Sequence, residues 1–353
     1  MKKIVVKIGT NVLSRPDGLL DLTAMSHLVD QIAGLKRSGI EVVVVSSGAV
    51  GAGRAILPLP TELDKVIQRQ VLAAIGQPQL MRLYSELLQR YGLHCAQVLA
   101  TKEDFRDRQH YLHMKNCFLA LLRDKIIPVV NENDVVAVSE LMFTDNDELA
   151  GLVASMTGAD TLVILSSVDG VLTGPPGDPA SRVIPEIDAD DRSSAGFITP
   201  EKSAFGRGGM MTKFRFARQA ARVGVDTYIA NGKRPNVLSD LAAGLPVGTR
   251  FTARQPLNNL KKWMAYQFAE HKGVVVVNTG AAERLRSGVS SLLPVGIVRI
   301  DGEFDRGDLL HIVDENGATL GHGLAQYQAA SARQWIGEKG KKPLIHYDYL
   351  YIL

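Results

Sequence analysis

Ile4-Val5-Val6-Lys7-Ile8-Gly9-Thr10 is a short apolar run broken by a single lysine and closed by glycine. It reads as a strand that ends in a turn. Leu22, Met25, Val29, Ile32 and Leu35 then recur at helical spacing, and Gly39 supplies a stop. Residues 40–45 form a β-branched run suited to a strand buried on both faces. Similar runs over 126–130, 161–165 and 227–230 predict further strands. Helices are expected between them over 63–74, 79–91, 147–157 and 211–223. Strand and helix in alternation predict an α/β fold, a mainly parallel sheet sandwiched by helices. Ligands of such sheets bind beyond the carboxyl ends of the strands.

The pattern changes near residue 250. The stretch 250–262 is polar and holds Pro256 and Asn258-Asn259. Short strands are expected beyond it over 273–278, 296–300, 308–313 and 319–324, with one helix over 281–286. Asp301-Gly302, Arg306-Gly307 and Glu315-Asn316-Gly317 supply the turns. The aromatic, apolar segment 347–353 adds a last expected strand. The reading is a large domain over 1–255, a linker over 256–271 and a small C-terminal β-barrel over 272–353.

A chain of 353 residues is long enough for two such domains. Its composition, 46% apolar and 22% charged, is that of a globular protein. A formal charge of +3 gives no general attraction for polyanions, so any phosphate chemistry must come from local placement. Cys95 and Cys117 are isolated and form no disulfide framework. No apolar stretch approaches the ~20 residues a membrane span needs. A cytoplasmic enzyme is expected.

Two lysines are placed against electrostatic sense. Lys7 lies within a strand, and Lys213 follows Gly206-Arg207-Gly208-Gly209-Met210-Met211-Thr212 where a helix should begin. A buried lysine needs a negative partner, and a lysine in a helix's first turn opposes the helix dipole. A polyanion between the two, most simply a nucleotide phosphate, resolves both conflicts. Successive glycines before a helix also offer a nest of N–H donors; a flexible loop is the plainer reading. Ser46-Ser47-Gly48-Ala49-Val50-Gly51-Ala52-Gly53 follows a buried strand and suits an anion at a helix start or, alternatively, close packing. Its glycine order is not that of a dinucleotide fold, and the chain has no GxxxxGK[ST] motif. Asn131-Glu132-Asn133-Asp134 and Thr144-Asp145-Asn146-Asp147-Glu148 concentrate more acid than capping requires, although capping alone accounts for Thr144 or Asp145. His110 and His113 lack a third ligand and read as surface or subunit contact, and no metal site is expected.

Lys7-Ile8-Gly9-Thr10, the stretch 45–53, Asn131-Glu132-Asn133-Asp134, Asp145-Asn146-Asp147 and the stretch 208–213 stand in the order and spacing of the amino acid kinase superfamily. On these motifs the chain is identified as a member of that superfamily. It resembles most closely the branch that phosphorylates the γ-carboxylate of free L-glutamate at the start of proline biosynthesis. The stretches 290–297 and 302–308 resemble a PUA domain. The resemblance implies that Lys7, the Gly9 backbone and Lys213 contact the transferred phosphoryl. It implies that Ser47, Asp134 and Asn146 bind glutamate, that Asp147 orients the lysines, and that Asp145 supports the same loop. Ser166 and Ser167, with Arg207, Gly208, Gly209, Met210, Met211, Thr212 and Lys213, would hold the nucleotide. ATP, Mg2+, inhibition by proline and a homo-oligomer, dimer or tetramer, are also implied. Ser167, Arg207 and Met211 depart from the family's usual acid, threonine and serine, and 323–328 departs from the usual PUA pattern. The alternatives are another acceptor within the superfamily, or RNA binding through the small domain. Nine basic and nine acidic residues over 272–353 cancel, which argues against nucleic acid.

The chemistry suits these residue types. A γ-carboxylate with a reference pKa near ~4.3 is already an ionised nucleophile at neutral pH, so no general base is required. Its repulsion from the nucleotide is the obstacle, and lysines, N–H groups and magnesium offset it. The α-ammonium of glutamate calls for an acid, and Asp134 is the expected partner.

Overall fold

The computed structural model describes residues 1–57, 64–136, 143, 145–175, 178–190, 209–255, 257, 259–266, 271–287 and 290–353. They form two compact units, Met1–Pro256 and Leu257–Leu353.

The first unit runs β1 (Lys3–Ile8), α1 (Thr10–Leu13), α2 (Leu22–Arg37), β2 (Glu41–Ser46), α3 (Ala49–Ile56), α4 (Lys65–Gln89), β3 (Cys95–Ala100), α5 (Lys102–Arg106), α6 (Arg108–Arg123), β4 (Ile127–Glu132), α7 (Asn146–Thr157) and β5 (Thr161–Ser166). It continues with β6 (Glu186–Asp188), α8 (Met210–Arg222), β7 (Asp226–Asn231), α9 (Val237–Ala242) and β8 (Thr249–Thr252). The eight strands form one sheet in the order β3-β4-β2-β1-β5-β7-β8-β6. The ladders are parallel except where β8 meets β7. β1 lies between β2 and β5, with Lys7 opposite Val45 on one side and Ile164 on the other. Alternation along β1 decides where its side chains go. Ile4, Val6 and Ile8 enter a core shared with α2, α4 and α9. Val5 and Lys7 therefore point to the other face, where α7 packs on β1. Lys7 is only 2% exposed.

The helices expected over 63–74 and 79–91 are one helix, α4, which runs through Pro78. Proline removes the N–H that Ala74's carbonyl would take, so the helix continues only because packing holds it. Gly76 supplies that packing: a Cβ there would lie 1.8 Å from the Ala49 carbonyl oxygen of α3. Gly53 answers it from α3, where a Cβ would lie 2.0 Å from the Leu72 carbonyl oxygen. The glycine-rich stretch after β2 is thus largely a helix in backbone contact with its neighbour. Gly48 alone holds a turn there, at φ 116.

The second unit runs α10 (Asn259–Ala265), β9 (Gly273–Val277), α11 (Thr279–Arg286), β10 (Ile297–Gly302), β11 (Leu309–Asp314), β12 (Thr319–Leu324), α12 (Ala329–Gln334) and β13 (Leu350–Ile352). Its five strands form a separate sheet, β10-β9-β11-β12-β13. β9 and β11 are parallel and the other ladders antiparallel. Val275, Leu310, Ile312, Leu320 and Ile345 are among the residues of its own core. Within the stretch read as a linker, α10 is a helix that packs on β12 and β13. No helix among the described residues is long and apolar enough to cross a membrane.

Candidate active site

The carboxyl ends of β1, β2, β4 and β5 lie along one edge of the large sheet and deliver Lys7, Ser46, Asn131 with Glu132, and Ser166 to it. Two helices begin at this edge. α7 opens with Asn146 and Asp147, and Lys213 lies in the opening turn of α8, which packs on α7.

Asp147 joins the two lysines. Its Oδ1 is 2.6 Å from Lys7 Nζ and its Oδ2 is 2.7 Å from Lys213 Nζ. Asp145 stands further off, 3.7 Å from Lys7 and 3.8 Å from Lys213. Asp147 is fully buried. Its carboxylate has the right sign for the start of α7, and the ion pair offsets the wrong sign of Lys213 at the start of α8. Burial alone would lower the pKa of the Lys7 ammonium; Asp147 and Asp145 outweigh it and the pKa is raised. Burial alone would raise that of Asp147, and the two lysines hold it well below the usual carboxylate range. Burial raises Asp145, with the charge of Asp147 adding to it and the lysines opposing. Asp145 makes no capping hydrogen bond to α7, so capping does not account for it. An ammonium has three N–H donors. Lys213 commits one to Asp147, which leaves donors that can face an anion.

Ser47 meets Asn146, the neighbour of Asp147 at the start of α7. Asn146 Nδ2 donates to Ser47 Oγ and to Asn131 Oδ1, both at 3.0 Å. Asn131 Nδ2 donates to Gln77 Oε1 at 3.0 Å, and Gln77 Nε2 to Gln97 Oε1 at 3.2 Å. Asp134 is paired with Arg69 of α4: Nε donates to Asp134 Oδ1 at 2.7 Å while Nη2 donates to Glu132 Oε2 at 3.1 Å. Phe143 N donates to Glu132 Oε1 at 2.8 Å. Burial, aided by the charge of Asp134, pushes the Glu132 carboxyl up to about 7 against the pull of that N–H and of Arg69. Burial likewise raises Asp134, with Arg69 opposing.

The structure therefore brings together Lys7, Lys213, Asp145 and Asp147, and beside them Ser47 and Asn146. Gly9 differs from expectation: its N–H is turned onto the Leu165 carbonyl at 3.3 Å instead of outward. Its α-carbon still borders the Lys7 ammonium, because a Cβ would stand 3.5 Å from Nζ. Ser166 is buried and Ser167 exposed at the end of β5. Gly209 caps α8, Met210, Met211 and Thr212 form its first turn, and Met211 is exposed. Arg207, Gly208 and Thr144 lie outside the described residues. A cavity of about 370 Å³ is lined by Asp169, Asn231 and Arg234 among others. Sequence reasoning missed Arg69, Gln77 and this cavity. The only pointer to α4 was the Gly76-Gln77-Pro78 interruption, which reads as a break.

The sequence model of the amino acid kinase family matches residues 2–231, and that of the PUA domain residues 273–347. The chain is 49% identical over 355 residues to glutamate 5-kinase of Chlorobaculum tepidum, covering 100% of this chain and 98% of the relative. It is 49% identical over 354 residues to glutamate 5-kinase of Bacteroides thetaiotaomicron, covering 99% and 98%. Among solved structures, a carbamate kinase from Giardia lamblia bound to AMP-PNP aligns with a TM-score of 0.53 at 18% identity, over 72% of this chain and 99% of that one. An isopentenyl phosphate kinase from T. acidophilum aligns with a TM-score of 0.51 at 17% identity, over 71% and 100%. These two likenesses show the fold.

Proposed function

The chain belongs to the amino acid kinase family, among the glutamate 5-kinases, and on that premise we propose how its residues carry the reaction. The reaction transfers the γ-phosphoryl of ATP to the γ-carboxylate of L-glutamate and gives ADP and L-glutamyl 5-phosphate, the first step of proline biosynthesis. A carboxylate oxygen forms a bond to the γ-phosphorus as the bond to the β,γ-bridging oxygen breaks. No proton moves, since nucleophile and leaving group are both anionic.

The observation that supports the assignment most strongly is the bridging of Lys7 and Lys213 by Asp147. One carboxylate fixes two ammonium groups from distant parts of the chain, and their remaining donors serve the equatorial oxygens of the transferring phosphoryl. Ser47 and Asn146 hold glutamate alongside. Asp134, oriented by Arg69, takes its α-ammonium. An N-acylated substrate would bring no ammonium to that acid, which would keep only Arg69. The nucleoside end lies toward Ser166, Ser167 and the cavity beside Asp169 and Asn231.

The donor set suits a magnesium ion that rides on phosphate oxygens and water. Both oxygens of Asp147 are held by ammonium groups, which leaves Asp145 as the nearby carboxylate, and magnesium takes few protein ligands. Bound with the nucleotide, the ion supplies further neutralisation of phosphate charge. Proline carries the α-carboxylate and amine of glutamate without the γ-carboxylate, so it inhibits at the acceptor end. The active form is a homo-oligomer.

The test is ADP release with ATP and Mg2+, measured with glutamate, without it, with other carboxylates and with proline. Glutamate-dependent release that proline suppresses by raising the apparent KM for glutamate is expected. Equal release with N-acetylglutamate would overturn the acceptor assignment.

A further inference from the structure

Gln77 is buried inside α4, remote in sequence from the rest of the site, yet it closes the hydrogen-bond chain that reaches Ser47. The direction of that chain is fixed at one point. Glu132 N, a backbone donor that cannot reverse, donates to Asn131 Oδ1 at 3.0 Å. Asn131 must then present its Nδ2 to Gln77, so the Gln77 atom facing it is the acceptor Oε1. Asn131 Oδ1 also faces Asn146, which must answer with Nδ2. The same Nδ2 donates to Ser47 Oγ. Ser47 is thereby an acceptor toward the protein, and its hydroxyl hydrogen is left to point at a ligand. A hydroxyl so directed can donate to a carboxylate oxygen.

We propose that Gln77 is a positioning residue for substrate: it anchors Asn131 and, through Asn146, holds Ser47 in place as a hydrogen-bond donor to a carboxylate of glutamate. The inference rests on the reading that Ser47 and Asn146 bind glutamate. Gln77 touches no substrate. Without its Oε1, Asn131 Nδ2 is a buried donor with no acceptor, and the Asn131 side chain is drawn out of place toward another one. Asn146, which Asn131 Oδ1 holds, and Ser47 beyond it then lose their exact placement, while the Lys7–Asp147–Lys213 ion pairs remain.

Steady-state kinetics of the full chain test this with Gln77→Met, Gln77→Glu and Ser47→Ala. Gln77→Met keeps the bulk and removes the acceptor; the glutamate KM should rise about tenfold, with kcat within about threefold and the ATP KM within about twofold of the parent. Gln77→Glu retains an oxygen for Asn131 and, protonated in this buried setting, reproduces both hydrogen bonds; its glutamate KM should stay within about twofold. If Gln77→Met does not fold, Gln77→Asn, one methylene shorter, withdraws the same acceptor and is read the same way. A glutamate KM that stays put in the acceptor-less variant, or that moves together with the ATP KM, overturns the inference. Ser47→Ala separates this from the reading beneath it. If Ser47→Ala leaves the glutamate KM unchanged, the acceptor assignment itself fails. If Ser47→Ala raises it and Gln77→Met does not, only the relay fails.

Discussion

The Lys7–Asp147–Lys213 cluster and the Ser47–Asn146–Asn131–Gln77 chain both hold polar side chains at the carboxyl edge of one sheet, and they do so by opposite chemistry. The cluster uses full charges that neutralise one another around a single buried carboxylate. The chain uses neutral amides whose donor and acceptor order is set by one backbone N–H. Charge gives strength with little direction, so it serves a phosphoryl group whose charge is spread over several oxygens. An amide chain is weaker but directional, so it can tell an acceptor from a donor on the substrate. The start of α7 joins the two, because Asn146 belongs to the chain and its neighbour Asp147 to the cluster.

The largest effect should come from the charged side. Lys213→Ala should lower kcat by ~10²–10³-fold and leave the glutamate KM within about threefold, the pattern of an interaction made mainly in the transition state. Turnover near the parent's would remove Lys213 from the phosphoryl. On the acceptor side the split should invert. Asp134→Ala should raise the glutamate KM by about tenfold or more and change kcat less, as expected when a charge-assisted contact to the ammonium is lost. An unchanged KM would exclude that contact.

Stability effects rank below these. Gly76→Ala drives a Cβ onto the Ala49 carbonyl and pushes α3, which carries the site's glycine turn, away from α4. A loss of about 1–3 kcal/mol in thermal or denaturant unfolding is expected. Gly34 is exposed within α2 with open space about it, so Gly34→Ala should stabilise by about 0.5–1 kcal/mol. A similar response at the two positions would disprove the close approach of α3 and α4.

Glu132 gives an effect confined to a defined pH window. Burial lifts its carboxyl to about 7, against about 4.3 for an unperturbed glutamate. Between these values the folded protein holds a proton that the unfolded chain has released. The contribution of Glu132 to stability is therefore complete below about pH 4.3 and is lost as pH rises through 7. Glu132→Gln keeps an oxygen for Phe143 N and should flatten that part of a plot of Tm against pH. An unchanged slope would assign it to other groups.

The contrast also marks how far the sequence could be read. The central strands are buried on both sides and show as short apolar runs rich in β-branched residues, so β1, β2, β4 and β5 were legible within a residue or two. β3 lies at the sheet's edge, and Cys-Ala-Gln-Val-Leu-Ala is half-exposed and carries no such run. α4 was split in two because Gly76 and Pro78 are breakers locally and are tolerated only through contact with α3, which no local pattern encodes. The lysine cluster was legible because each lysine conflicts with its own surroundings and the conflicts share a solution. Gln77 and Arg69 create no such conflict. A polar residue in a helix reads as an exposed one, and only the fold shows that one is buried beside Asn131 and the other clasps Asp134.

A double-mutant cycle on kcat with Lys213→Met and Asp147→Asn tests most directly whether one carboxylate holds the lysines to the transferring phosphoryl. If it does, part of what Asp147→Asn removes is the placement of Lys213, and the double variant falls well short of the product of the two single losses. Losses that multiply would show that the two side chains act independently and would contradict the account.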